Sequence, residues 1–137
     1  MDNECIVFLV DDNEVIRDSL SLSLRLAGFT IETYASGPDF LNAYGEYRPG
    51  CLLIDLHMPR MNGLEVQQEL NRRNIQMPII FMTGYGTAQD ATASLKAGAV
   101  DFLIKPISGS ILYARIHDAL SQVCPTHTVP ARRLQRK

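Results

Sequence analysis

Five short apolar segments alternate with longer amphipathic ones along this chain. The apolar segments lie at 5–10, 30–34, 51–54, 78–82 and 100–104, and their near-continuous hydrophobic runs predict strands buried on both faces. The intervening segments, at about 13–27, 36–45, 63–74, 87–97 and 108–122, predict helices. Such alternation implies a parallel sheet with helices on both sides. One stretch argues against itself. Ser19-Leu20-Ser21-Leu22-Ser23-Leu24 alternates with period two, which alone would predict a strand. It is read as helix because parallel strands need a crossover, Ile16, Leu20 and Leu24 stack at i, i+4, and Gly28 offers a C-cap. No internal repeat or low-complexity segment interrupts the pattern.

A length of 137 residues with 46% hydrophobic content suits one globular domain with one core. The domain is expected over 1–124. Residues 125–137, with Pro125, Pro130 and no periodicity, read as a basic linker or tail. Arg132, Arg133, Arg136 and Lys137 give that tail its charge, so the net −2 of the chain hides an acidic body. An acidic body with a short basic tail does not look like a self-contained nucleic-acid binder. The longest apolar run, Cys5 to Val10, is far shorter than the roughly 20 residues of a membrane span. The acidic start Met1-Asp2-Asn3-Glu4 is not a signal peptide. Cys5, Cys51 and Cys124 are odd in number and widely spaced, which fits a reducing cytoplasm better than a disulfide framework or a zinc site.

The chemistry lies where the predicted strands end. Val10 leads into Asp11-Asp12, Ile54 into Asp55, Met82 into Thr83, and Ile104 into Lys105-Pro106. Ligands of open α/β sheets bind outside the carboxyl ends of the strands. Neighbouring strands would therefore bring three carboxylates and one ammonium together, a cluster that a Mg²⁺ ion would relieve. Each residue also has a plainer reading. Asp11 or Asp12 could cap a helix, Asp55 could serve a turn, Thr83 could bond local backbone, and Lys105 could be a solvated lysine. Set in the cluster, Asp55 gains a second role as a carboxylate nucleophile able to form an aspartyl-phosphate. Pro106 makes the Lys105–Pro106 bond a candidate for the cis form. His57, with His117 and His127 distant in sequence, is read as a rim residue rather than a zinc ligand. Gly84-Tyr85-Gly86 lacks the spacing of a phosphate-cradling fingerprint.

These residues together resemble the receiver domain of two-component response regulators. The matching elements are Val10-Asp11-Asp12, Ile54-Asp55-Leu56-His57-Met58-Pro59 with Met61-Asn62-Gly63, Met82-Thr83-Gly84, and Lys96-Ala97-Gly98-Ala99 leading through Asp101-Phe102 to Lys105-Pro106. They span about residues 4–122, and the wording around Thr83 and Ala97 looks most like the FixJ/NarL class. The resemblance implies an α/β (βα)5 doubly wound fold of the flavodoxin/CheY-like kind, a five-stranded parallel sheet in order 2-1-3-4-5. It implies that Asp55 is the phosphoacceptor. Asp11, Asp12, Asp55 and the backbone carbonyl of His57 would hold Mg²⁺. Thr83 and Lys105 would contact the bound phosphoryl group, and Phe102 would change rotamer as Thr83 moves. It further implies a sensor histidine kinase as donor, a homodimer on phosphorylation, a cytoplasmic location, and no enzymatic role beyond the domain's own phosphorylation and dephosphorylation. Members of that class usually carry a helix-turn-helix DNA-binding domain after the receiver. None follows residue 124, so transcriptional output is expected from a domain outside this chain, and the chain is expected to be an excised receiver. Two alternatives stand beside this reading. One is a single-domain receiver acting through protein–protein contacts. The other is a haloacid dehalogenase-type aspartyl-phosphate hydrolase, which would need a second Asp where His57 stands.

Overall fold

The computed structural model describes residues 5–45, 48–84, 88–96, 98–99 and 101–124. Strands and helices alternate throughout. They are β1 (Ile6–Val10), α1 (Glu14–Leu26), β2 (Thr30–Tyr34), α2 (Gly37–Ala43), β3 (Gly50–Asp55), α3 (Gly63–Arg72), β4 (Ile79–Thr83), α4 (Ala88–Lys96), β5 (Asp101–Ile104) and α5 (Gly109–Val123). All strands pair in parallel in the order β2-β1-β3-β4-β5. This is the expected order, and the predicted elements fall within a few residues of the observed ones.

Side chains along a strand alternate between faces, so each strand feeds two cores. Val7, Leu9, Leu53, Ile80 and Met82 pack with Leu24 of α1 and Leu112, Ile116 and Leu120 of α5. Phe8, Val10, Leu52, Ile54 and Phe81 pack on the other face with Phe40, Leu41, Val66 and Leu70. β1 and β3 are buried along their whole length, which is why they read as unbroken apolar runs.

The contested segment 19–24 is helical. Leu24 is fully buried, Leu20 packs against the same core, and Leu22 faces solvent. Ser21 donates its hydroxyl to the Asp18 carbonyl at 3.2 Å, whereas the Ser23 hydroxyl bonds that of Tyr113 on α5. Gly28 ends α1 as expected. Its φ of 100° lets its N–H reach the Arg25 carbonyl (2.9 Å) and the Phe29 N–H reach the Leu24 carbonyl (3.0 Å). This paired closure folds Phe29 back onto Leu24 in the core. A Cβ at a left-handed position costs about 1–2 kcal/mol, so Gly28→Ala should lower the urea midpoint accordingly, with an unchanged slope. An unchanged midpoint would mean that the turn does not depend on its glycine.

The cysteines correct one expectation. Cys5 and Cys124, 119 residues apart, form a disulfide with their Cα atoms 6.3 Å apart. Sequence spacing gave no hint of this. The entry to β1 and the exit of α5 meet beneath the same face of the sheet, and both residues belong to one core cluster. Cys51 is unpaired and buried in β3, where loss of solvation pushes its thiol up to about 12. Among the described residues, no helix is long and apolar enough to cross a membrane.

Candidate functional site

The C-terminal ends of β1, β3, β4 and β5 lie side by side and deliver the candidate residues to one place. Asp11 follows β1, Asp55 closes β3 opposite Met82, and Thr83 closes β4 opposite Ile104. Lys105 follows β5, and its N–H donates to the Thr83 carbonyl at 2.7 Å. The Lys105–Pro106 peptide bond is cis.

The helix-cap reading of the two aspartates can be decided on geometry. Asn13, not an aspartate, caps α1, its side-chain oxygen accepting the Ile16 N–H at 3.1 Å. The Asp11 carboxylate instead accepts the Asn13 N–H (2.9 Å) and the Lys105 ammonium (3.0 Å). Asp55 accepts the His57 N–H (3.0 Å) and the same ammonium (3.3 Å). Lys105 is thus no solvated surface lysine; its Nζ bridges two buried carboxylates. Asp12 stands exposed at the mouth of this group. Carboxylate oxygens of Asp11, Asp12 and Asp55 all lie within 4.8 Å of one another.

The surroundings of Asp55 are built by α3. Asn62 and Glu65 form a reciprocal capping box, with bonds of 2.9 and 2.8 Å. Gly63 then brings the helix against β3. A Cβ there would lie 2.7 Å from the Phe81 ring and 3.0 Å from the Asp55 carbonyl. Only a residue without a side chain lets α3 start this close to the strand end.

Burial raises the Asp55 carboxyl above its ordinary value, the His57 N–H and Lys105 partly offset this, and Asp11 adds to it. Burial works to lower Lys105, but bonds and charge from Asp11 and Asp55 outweigh it and leave the ammonium raised. The group therefore carries a fixed positive charge among three acids and is short of cations. An all-oxygen donor set of this kind suits a hard divalent ion. This gives a stability prediction. Like charges about 5 Å apart in a partly aqueous setting repel by roughly 1 kcal/mol. Asp12→Ala should therefore melt a few degrees above the wild type in EDTA and lose the upward shift produced by Mg²⁺. A mutant that keeps the full shift would remove Asp12 from the cation site.

Thr83 is fully buried. Phe102 is half-buried on β5 opposite Phe81 and packs on the same core as that ring, so it shares a sheet face with Thr83. The His57 side chain sits half-exposed at the rim, its Nε2 3.8 Å from Asp90 of α4. The rim reading of His57 holds, with a contact to α4 that its sequence position did not reveal. Tyr85 and Gly86 lie outside the described residues. Arg17 was missed. Its Nη1 donates to the Asp11 carbonyl at 2.8 Å, and the only signal in the sequence is a cation one turn into the helix after an acidic pair.

Comparison with known proteins agrees with this arrangement. Residues 7–117 match the response regulator receiver domain. Response regulator protein TmoT of Ectopseudomonas mendocina is 39% identical over 119 residues, covering 87% of this chain and 54% of that protein. Transcriptional regulatory protein TdiR of Thauera aromatica is also 39% identical over 119 residues, covering 87% of this chain and 52% of that protein. The crystal structure of FixJ-N superposes with a TM-score of 0.83 at 36% identity, covering 90% of this chain and 98% of that one. The chain spans about half the length of the curated relatives it matches. With the sheet order, the acids at its strand ends and a family match over most of the chain, this protein belongs to the response regulator receiver domain family.

Proposed function

We propose that this chain receives a phosphoryl group on Asp55 and relays that event through its surface. The observation that carries the reading is the convergence of Asp11, Asp12 and Asp55 within 4.8 Å, with Lys105 bonded to two of them. Phosphoryl transfer asks a protein mainly for in-line positioning and charge neutralisation. An oxygen of the Asp55 carboxylate attacks phosphorus, the bond to the donor nitrogen breaks, and an acyl phosphate results. The donor is a phosphohistidine on a sensor kinase, as the receiver family implies. Asp11, Asp12, Asp55 and the His57 carbonyl would hold Mg²⁺, which supplies positive charge to the phosphoryl oxygens. Lys105 gives a point charge to one phosphoryl oxygen and leaves its carboxylate partners to do so. The Thr83 hydroxyl donates to another.

The output follows from Thr83 and Phe102. They occupy one sheet face on adjacent strands, so inward movement of Thr83 opens space that the Phe102 ring fills. The surface affected is made by α4, β5 and α5, where Leu95, Ile104 and Ile111 are exposed. We read this as the dimerisation face of a regulator whose transcriptional effect rests with a DNA-binding domain outside residues 1–124. The name of TdiR, a transcriptional regulatory protein, supports that output. A hydrolase role is disfavoured, because the residue two after Asp55 is His57 and its side chain lies at the rim.

The direct test is incubation with Mg²⁺ and acetyl phosphate followed by intact-mass measurement. One phosphoryl group per chain is expected, and none in EDTA. Labelling that is indifferent to EDTA would break the link between the acidic cluster and the transfer.

A further inference from the structure

We propose that Arg17 is a positioning residue for the cation site, acting by fixing the peptide that carries Asp12. The inference rests on the functional reading above.

The three acids are not held alike. Asp11 is buried and its carboxylate is bonded to the Asn13 N–H and to Lys105. Asp55 is bonded to the His57 N–H and to Lys105. The exposed Asp12 carboxylate has no such hold among the described residues, so its place depends on the backbone beneath it. That backbone is leaving the sheet. The Asp11 N–H makes a last bond to the Tyr34 carbonyl at 3.2 Å, and α1 begins only at Glu14. The Asp11 carbonyl and the Asp12 N–H belong to one planar unit. Whatever holds that carbonyl sets the direction in which Asp12 departs.

Arg17 holds it. Its N–H donates to the Asn13 carbonyl at 2.9 Å in the first turn of α1, which anchors its Cα to the cap. Its Nη1 reaches back six residues to the Asp11 carbonyl at 2.8 Å. The bond is charge-assisted, hence short and directional. The residue is half-buried rather than trailing in solvent. Its charge alone would act in the opposite sense, since a guanidinium near a cation site repels the cation. Partial exposure and salt screen that repulsion. The orienting effect and the charge effect therefore predict opposite outcomes when the residue is replaced.

Calorimetric titration of Mg²⁺ into the unphosphorylated wild type, Arg17→Met and Arg17→Lys decides between them. Arg17→Met should weaken Mg²⁺ binding by about tenfold, the low end of what groups that orient metal ligands contribute. Arg17→Lys retains a cation and a donor on a comparable stem and should recover part of that loss. Equal or tighter binding by Arg17→Met would overturn the proposal. So would a fall in the melting temperature of metal-free Arg17→Met and Arg17→Lys with no change in Mg²⁺ affinity, which would make Arg17 a brace for α1 alone. A wild type that binds no Mg²⁺ would overturn the cation site itself and Arg17's part in it.

Discussion

Asp55→Asn is expected to abolish phosphoryl labelling by acetyl phosphate. The wild type should gain one phosphoryl group per chain and the mutant none. The amide is nearly the same shape, so the fold stays intact, but its oxygen is a poor nucleophile and cannot form a stable acyl phosphate. The neighbouring acids do not replace it. Asp11 is buried and held by Lys105 and Asn13, while Asp12 faces the mouth of the site. Equal labelling of the mutant at another residue would remove Asp55 from its assigned role. The same mutant carries a pH test. Burial raises the Asp55 carboxyl, so the folded state disfavours the ionised form. The wild type therefore gives up stability as pH rises through this titration, whereas Asn cannot ionise and gives up none. Without metal, Asp55→Asn should unfold at higher temperature than the wild type at neutral pH. That advantage should vanish below pH of about 4, where the carboxyl is protonated in both folded and unfolded chains. A gain that persists at low pH would place its origin in packing rather than charge.

Phosphorylation is expected to convert a mainly monomeric protein into a dimer. Sedimentation at matched micromolar concentrations should show the mass roughly doubling, the change required by a closed two-fold association. The face concerned carries the exposed side chains of Leu95 on α4, Ile104 at the end of β5 and Ile111 on α5. Beside them, Arg115 and Asp101 form an ion pair at 2.7 Å. Apolar groups flanked by paired charges can bury area against a second copy while the charges fix register. The link to the phosphoryl site is short. Lys105 directly follows Ile104, and Phe102 stands opposite Phe81, two residues before Thr83. Replacing Ile104 with Glu should block the mass increase and leave labelling of Asp55 unchanged. Identical masses for the phosphorylated and unphosphorylated wild type would favour a monomeric receiver that acts on another protein.

Much of the fold and most of the site could be read from the chain. Strands buried on both faces must be apolar throughout, so Ile6–Val10, Gly50–Asp55 and Ile79–Thr83 stand out, and Gly28 closes α1 where the left-handed turn requires it. Parallel connection then sends every strand's carboxyl end to one edge. For that reason Asp11, Asp12, Asp55, Thr83 and Lys105 could be grouped without coordinates. Other features depend on distances between segments that periodicity does not encode. The cap of α1 is Asn13, which leaves Asp11 for Lys105. The Cys5–Cys124 bridge joins the two ends of the domain because β1 begins and α5 ends beneath one face of the sheet. Arg17 reaches the Asp11 carbonyl, and His57 faces Asp90, through side chains whose direction is set only once the helices are packed. Local pattern determined which residues form each element and where the chemistry had to gather. Tertiary packing alone decided which groups touch, because a contact across six or a hundred residues is a property of the folded surface and leaves no periodic trace in the chain.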